Sequence, residues 1–152
     1  MRIRKYQASD CELLIQLFYD TVHTVNAKDY TKEQRIAWTS QADKDMWNQA
    51  FLKQITLIAE IQQQIVGFGS MDDTGYLDML YVHKDYQRCK IATALCDKLE
   101  HSIKSDRIIT HASITAEPFF TQRGYHVLRK QQVIRNGISL SNTIMFKEMQ
   151  NS

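Results

Sequence analysis

Tyr76 to Ala92 reads YLDMLYVHKDYQRCKIA, and the fold turns on this stretch. Tyr76 to Val82 is apolar on both faces except for Asp78, as expected of a strand buried inside a sheet. A loop from His83 to Lys90 follows, after which Ile91, Leu95, Leu99 and Ile103 recur at helical spacing along one face. Ile108 to Ile114 is a second strand. A helix between two strands implies that they run parallel, with a right-handed crossover. The backbone N–H groups of the loop and first helical turn lack intrahelical partners, and the helix dipole adds positive potential there. Arg88 and Lys90 bring side-chain charge to the same place, suited to a pyrophosphate or a nucleotide 3′-phosphate. From spacing alone, a solvated loop before an ordinary helix fits as well.

Working outward, residues 1 to 6 form a short first strand, and Ser9 and Glu12 stand at capping-box spacing ahead of a helix bearing Leu14, Leu17, Phe18, Val22 and Val25. Thr31 with Gln34, and then Asp43, start two short helices. Ile55 to Ile61 and Ile65 to Ser70 flank Gln62 to Gln64 as an antiparallel hairpin, and Asp72 to Gly75 turns the chain into the central strand. Thr115 caps a short helix reaching Gln122, with Pro118 in its first turn. Tyr125 to Ile134 and Ile138 to Phe146 form a hairpin across Asn136 and Gly137. The order of elements is written β, α, α, β, β, β, α, β, α, β, β.

The 152 residues are 43% hydrophobic and 24% charged with a net charge of +2, so disorder and a nucleic-acid coat are excluded. Only one proline and five glycines punctuate the chain, and residues 1–152 read as a single domain. No apolar run approaches the roughly 20 residues of a membrane span, and the N-terminus lacks an apolar leader, which points to the cytoplasm. Cys11, Cys89 and Cys96 are odd in number and make no CxxC pair, and the histidines form no ligand motif, so neither a disulfide framework nor a metal is expected.

Leu80, Val82 and the run Gln87-Arg88-Cys89-Lys90-Ile91-Ala92 resemble the acetyl-CoA motif of the GNAT N-acetyltransferases, in which a strand is followed by Gln/Arg-x-x-Gly-x-Gly/Ala. Ala116, Phe119, Phe120, Gly124 and Tyr125 resemble the family's second motif, Ala-x-x-Phe-Tyr-x-x-x-Gly-Phe. The resemblance spans essentially the whole chain and is similar to that of small bacterial members. It implies an α/β fold with a mixed, largely antiparallel sheet flanked by helices, in which a splayed parallel strand pair forms the cofactor slot. It further implies acetyl transfer from acetyl-CoA to a primary amine by direct attack in a ternary complex. By the motif match the Leu80 N–H faces the thioester oxygen, as an oxyanion hole, and Val82 pairs with the pantetheine amides. Gln87 opens the pyrophosphate loop, and the N–H groups of Arg88, Cys89, Lys90, Ala92 and Thr93 cradle the phosphates. Lys90 stands where the family places a glycine, and Phe120 where many members carry a proton-donating tyrosine. These two departures leave open a second function, a CoA-binding sensor or interaction module without turnover.

The amine must lose a proton to a base. Strand alternation puts Tyr76, Asp78 and Leu80 on one face, which makes Asp78 the first candidate, with Tyr81 on the opposite face. Glu60 is the second. The resemblance places His23, Asn26, Tyr30 and Trp38 in one wall of the acceptor pocket, and Tyr76 joins them from the strand; each can equally be a core residue. Arg123, Arg129, Lys130, Arg135 and Lys147 crowd an acid-free basic segment. These residues read as a solvated face, as contacts to the CoA phosphates or as contacts to an anionic acceptor. A nucleic-acid-binding domain is the third reading, but no recognition helix or stacking platform accompanies the charge, so no nucleic-acid partner is expected. The expected partners are a small-molecule or peptide amine and a second copy of the chain, meeting at the final hairpin.

Overall fold

The computed structural model describes residues 1–150. β1 (Arg2–Lys5) is followed by α1 (Cys11–Thr24), α2 (Lys32–Thr39) and α3 (Lys44–Lys53), the three helices that the apolar face after Ser9 and the starts at Thr31 and Asp43 indicate, one more than the order of elements counts. An antiparallel run of β2 (Ile55–Ile61), β3 (Gln64–Met71) and β4 (Tyr76–Val82) leads to α4 (Ile91–His101) and β5 (Arg107–Ser113). α5 (Glu117–Gln122) then precedes the hairpin of β6 (His126–Arg135) and β7 (Ile138–Glu148). All seven strands form one sheet in the order β1-β2-β3-β4-β5-β7-β6, antiparallel except between β4 and β5.

Local chemistry sets most of the element starts. Gln34 donates its N–H to Thr31 Oγ1 at 3.1 Å while its Oε1 accepts the Thr31 N–H at 2.9 Å, a closed capping box at α2. Asp43 accepts the Met46 N–H at 3.1 Å and starts α3. The expected cap of Ser9 with Glu12 is not used. Instead the buried Asp10 accepts the Gln7 N–H at 2.8 Å and both terminal nitrogens of Arg4 at 2.9 Å, which ties the start of α1 to β1. Thr115 is likewise not the cap of α5: its hydroxyl donates to Asp29 at 2.7 Å, and Ser113 Oγ accepts the Ala116 N–H at 3.1 Å. In the β2–β3 hairpin Gln62 and Gln63 adopt φ of 51° and 67°, the left-handed turn that Asn136 and Gly137 make at the last hairpin.

Helices cover both faces. Under α1 and α3 lie Leu14, Phe18, Phe51, Ile58 and Phe68, and Met79 and Tyr81 of β4 pack against them. Under α4 and α5 lie Leu77, Leu99, Ile108, Phe120 and Tyr125, with Leu80 packed alongside. α4 lies tight on β3 because Gly67 and Gly69 present no side chain. A Cβ there would stand 2.9 Å from Ile91 Cγ2 and from Leu99 Cδ1, respectively.

One buried carboxylate pins this second face. Glu100 of α4, 3% exposed, accepts from Arg123 Nε at 2.7 Å, Lys147 Nζ at 2.9 Å and the Tyr125 hydroxyl at 2.9 Å. It thereby joins α4 to the chain after α5 and to β7. Burial alone would raise its pKa, but the hydrogen bonds from Arg123, Lys147 and Tyr125 outweigh it and leave the group below its ordinary 4.5. Glu100→Gln should therefore cost about 3–5 kcal/mol at pH 7. Because the folded-state pKa is depressed, this stabilisation is present above the unfolded value and disappears as pH falls through the folded one. In urea titrations the gap between wild type and variant should close on acidification below pH 4.5; a gap independent of pH would show that the charge is not what stabilises.

Candidate active site

β4 stays paired with β3 as far as Val82, opposite Gly67, but meets β5 only at Tyr76↔Ile109 and Leu77↔Thr110. At the last paired position the Thr110 hydroxyl donates to the Leu77 carbonyl at 3.0 Å. Beyond it the two strands part, while β5 keeps its other neighbour, β7, up to Ser113↔Asn142. Backbone polar groups facing such a gap need partners. An extended guest chain carrying amides meets that need, as an added strand does at a sheet edge. The splayed pair that the family resemblance implies is thus present.

At the end of the gap, past Val82, lies the loop. Arg88 and Lys90 take φ of 61° and 63°, with Cys89 between them outside the positive region. Lys90 is left-handed where the family has glycine, so its side chain is held at some cost in backbone strain. Ala94 is the first residue of α4 whose N–H finds a carbonyl, that of Lys90 at 3.1 Å, so the N–H groups of Ile91, Ala92 and Thr93 have no intrahelical partner. With Arg88 and Lys90 exposed beside them, these donors make a cationic cradle. Gln87 is engaged elsewhere. Its Nε2 donates to the Val82 carbonyl at 2.8 Å, which also accepts from Thr21 Oγ1 at 3.1 Å. A guest amide donating to that carbonyl has to displace Gln87.

On the α1–α3 side of the sheet a cavity of about 330 Å³ opens. Phe18, Trp38 and Trp47 form its helical wall. Tyr76, Asp78, Met79 and Tyr81 come from β4, and His111 and Ser113 from β5. Strand alternation does not predict this set. Ser70 pairs with Met79 and Met71 with Leu77, so Asp78 is an extra, bulged residue. The bulge leaves Leu77 and Leu80 together under α4 and turns Tyr81 toward the cavity beside Asp78. Leu80 therefore does not share the face of Tyr76 and Asp78, and Tyr81 does not lie opposite them.

Asp78 Oδ2 accepts from Gln54 Nε2 at 3.1 Å, which leaves Oδ1 without a partner among the described residues. Burial first, then the charges of Asp78 and Asp72, push the Tyr76 phenol up to about 12 against the opposing charge of Arg135. Burial, helped by the charge of Arg129, lowers the His111 imidazole below its ordinary value against the opposing charge of Asp78. The rings of Tyr76 and His111 meet edge to face at 5.2 Å.

Of the other expected site residues, Tyr30 and Trp38 line the cavity, but the Tyr30 hydroxyl is committed. It donates to the Ser141 carbonyl at 2.6 Å and accepts the Ile114 N–H at 2.9 Å. His23 and Asn26 do not line the cavity. His23 hydrogen-bonds Thr39 Oγ1 at 3.0 Å and Arg35 at 3.3 Å, and Asn26 is buried in the turn after α1. Glu60 is not brought to the cavity either: it pairs with Arg4 of β1 at 3.0 Å. Phe120 is buried between Phe119 and Tyr125, and the Tyr125 hydroxyl is held by Glu100, so α5 offers no phenol to the site. Sequence reasoning missed Trp47, His111 and Asn142 as site residues. For His111 the signal is the parallel register: extending Tyr76↔Ile109 by two residues sets His111 level with Asp78 at the split.

Comparison with known proteins accords with this geometry. A family model described as an acetyltransferase (GNAT) domain matches residues 26–146. An uncharacterized N-acetyltransferase of Escherichia coli, YafP, is 36% identical over 146 residues, which cover 95% of this chain and 94% of that protein. A GCN5-related N-acetyltransferase from Rhodopseudomonas palustris superposes with a TM-score of 0.92 at 34% identity, over 97% of this chain and 95% of its own. PaiA N-acetyltransferase from Thermoplasma acidophilum, solved with coenzyme A, shares the fold at a TM-score of 0.78 and 19% identity, over 97% of this chain and 98% of its own. The chain that parts its sheet after Leu77 and places a cationic loop at the end of the gap belongs to the GNAT acetyltransferase family.

Proposed function

We propose that the protein transfers the acetyl group of acetyl-CoA to a primary amine by direct attack within a ternary complex. The observation that carries this reading is the gap between β4 and β5, with an anion cradle at one end and an aromatic cavity holding Asp78 beside it. The donor set fits the co-substrate. Unpartnered N–H groups of Ala92 and Thr93, with Arg88 and Lys90, suit the pyrophosphate, and the parted strand edges suit the pantetheine amides. The PaiA enzyme named above is solved with coenzyme A in the same fold.

In this reading the acceptor enters the cavity as an ammonium and gives one proton to the free Oδ1 of Asp78, directly or through a water. The amine nitrogen then attacks the thioester carbonyl, whose oxygen draws on the Leu80 N–H. As the tetrahedral intermediate collapses, the N–C bond remains, the C–S bond breaks, the nitrogen releases its second proton to solvent, and CoA leaves as a thiolate that takes a proton from solvent. Thiolate is a tolerable leaving group near neutral pH, so the phenylalanine at position 120 is no obstacle. The second reading, a CoA-binding module without turnover, is favoured by the strained lysine of the loop; release of CoA with any amine separates the two.

Isothermal titration of acetyl-CoA should give micromolar binding. Lys90→Gly, which relieves about 1–2 kcal/mol of left-handed strain that the free protein already carries and removes one cation of the cradle, should raise thermal stability and weaken acetyl-CoA binding several-fold. Absence of binding to either protein overturns the co-substrate. Asp78→Asn should lower kcat about 10²–10⁴-fold with acetyl-CoA affinity unchanged. Glu60→Gln should leave kcat within about twofold, since its carboxylate serves Arg4. If the Glu60 variant is the one that loses turnover, the base is misassigned.

A further inference from the structure

The β6–β7 hairpin does more than complete the sheet. Its tip is fastened to the helical wall: Asn136 Nδ2 donates to Ser40 Oγ at 2.5 Å, and Asn136 Oδ1 accepts from Gln41 Nε2 at 2.6 Å. Below the tip, Gln34 Nε2 donates to the Ser139 carbonyl at 3.0 Å and the Tyr30 hydroxyl to that of Ser141. The hairpin thus roofs the cavity, and it brings Arg135 into the lining.

The charge content of this cavity is unusual. Asp78 is its one carboxylate and Arg135 its one guanidinium, and burial disfavours the charged form of His111. They do not neutralise each other. Among the described residues Asp78 bonds only the uncharged Gln54, and Arg135 has no carboxylate within ion-pair distance, its one hydrogen bond being a 3.4 Å contact to the Ile134 carbonyl. Both nevertheless act on the Tyr76 phenol, Asp78 raising its pKa and Arg135 opposing that rise. Asn142 Oδ1, in the same wall, is buried without a hydrogen-bond partner among the described residues, an acceptor waiting for a donor. The same cavity is lined by aromatic rings: Phe18, Trp38 and Trp47 from the helices, Tyr81 from the sheet.

We propose that the acceptor is a zwitterion: a primary amine that also carries an anionic group, carboxylate or phosphate-like, on an apolar or aromatic body. The ammonium takes Asp78, the acid group takes Arg135, and the body lies against the indole rings. A guanidinium binds such an anion in a forked, charge-assisted arrangement; Arg135 is exposed and free to turn toward it, while the half-buried Asp78 meets the ammonium in a less solvated place. A simple amine satisfies Asp78 and leaves Arg135 unpaired. This rests on the acetyl-transfer reading above and names the class of acceptor for that same cavity.

The test is CoA release with acetyl-CoA and matched acceptors: L-phenylalanine against phenethylamine, and 3-aminopropylphosphonate against propylamine. Wild type, Arg135→Gln and Arg135→Lys are compared, with thermal unfolding as a check on folding and acetyl-CoA titration as a check on the co-substrate. In wild type the anion-bearing member of at least one pair should have a kcat/KM about tenfold or more above its partner, and the preferred pair identifies the anion. Arg135→Gln should abolish that preference through KM of the anion-bearing amine and leave the simple amine within about twofold; Arg135→Lys should restore part of it. Equal use of both members by wild type, equal loss of both in Arg135→Gln, or no turnover of any of the four while acetyl-CoA binds overturns the proposal. Failure to bind acetyl-CoA instead overturns the acetyl-transfer reading beneath it.

Discussion

Two neighbouring strands that part inside a sheet leave polar backbone groups without their usual partners, and each unsatisfied buried group costs about 1–3 kcal/mol. A gap of this kind persists only if each strand is held from its other side. β4 is held by β3 along its length and by Thr21 of α1, which reaches the Val82 carbonyl. β5 is held by β7 and, just past its end, by the Tyr30 hydroxyl, which bonds the Ile114 N–H and the Ser141 carbonyl together. Thr110 closes the vertex. Tyr30 therefore lines the cavity without serving a ligand through its hydroxyl. Its donor and acceptor are both spent on keeping the sheet open.

The bulge at Asp78 resolves a second conflict on the same strand. β4 must fill the interface with α4, where Leu77 and Leu80 belong, and must also supply the cavity on the other face. Strict alternation would put Leu77 and Leu80 on opposite faces. Inserting one residue puts both under α4, where Gly69 leaves room for the Leu80 side chain, and gives Asp78 and Met79 to the cavity in succession. The bulged carboxylate is then steadied by Gln54, just past the C-terminus of α3. A catalytic role for Asp78 thus requires no departure from good packing, because the irregularity that exposes the acid also completes the core.

The fold was legible wherever local chemistry decides. The capping residues Thr31 and Asp43, the Asn136-Gly137 turn and the strand, loop and helix from Tyr76 to His101 all stand as the residues indicate. It was illegible wherever a distant partner outbids a local one. Ser9 and Thr115 have the right type and position to cap helices, but Asp10 is fixed by Arg4, and the Thr115 hydroxyl is taken by Asp29. The cavity is the extreme case, since its walls come from segments as far apart as Phe18 and Asn142. Helical spacing and family resemblance placed His23 near the acceptor, yet which way its ring is used depends on Thr39 and Arg35 of the next helix. The bulge carries no sequence mark at all, because an extra residue exists only relative to the register of β3.

The loop shows why a departure from a motif need not abolish the site it describes. A glycine is favoured at position 90 because the backbone there is left-handed, and a lysine in that conformation costs on the order of 1–2 kcal/mol. Nothing obliges the side chain to enter the cradle, for Lys90 is exposed. Its ammonium stands beside the unpartnered N–H groups of α4, where an anion gains from the helix terminus and from two cations together, each contact of a size comparable to the strain. The substitution thus exchanges backbone ease for charge at the same point. Its consequence falls on affinity for an anion and on the salt dependence of that affinity, and leaves the course of the chain unchanged.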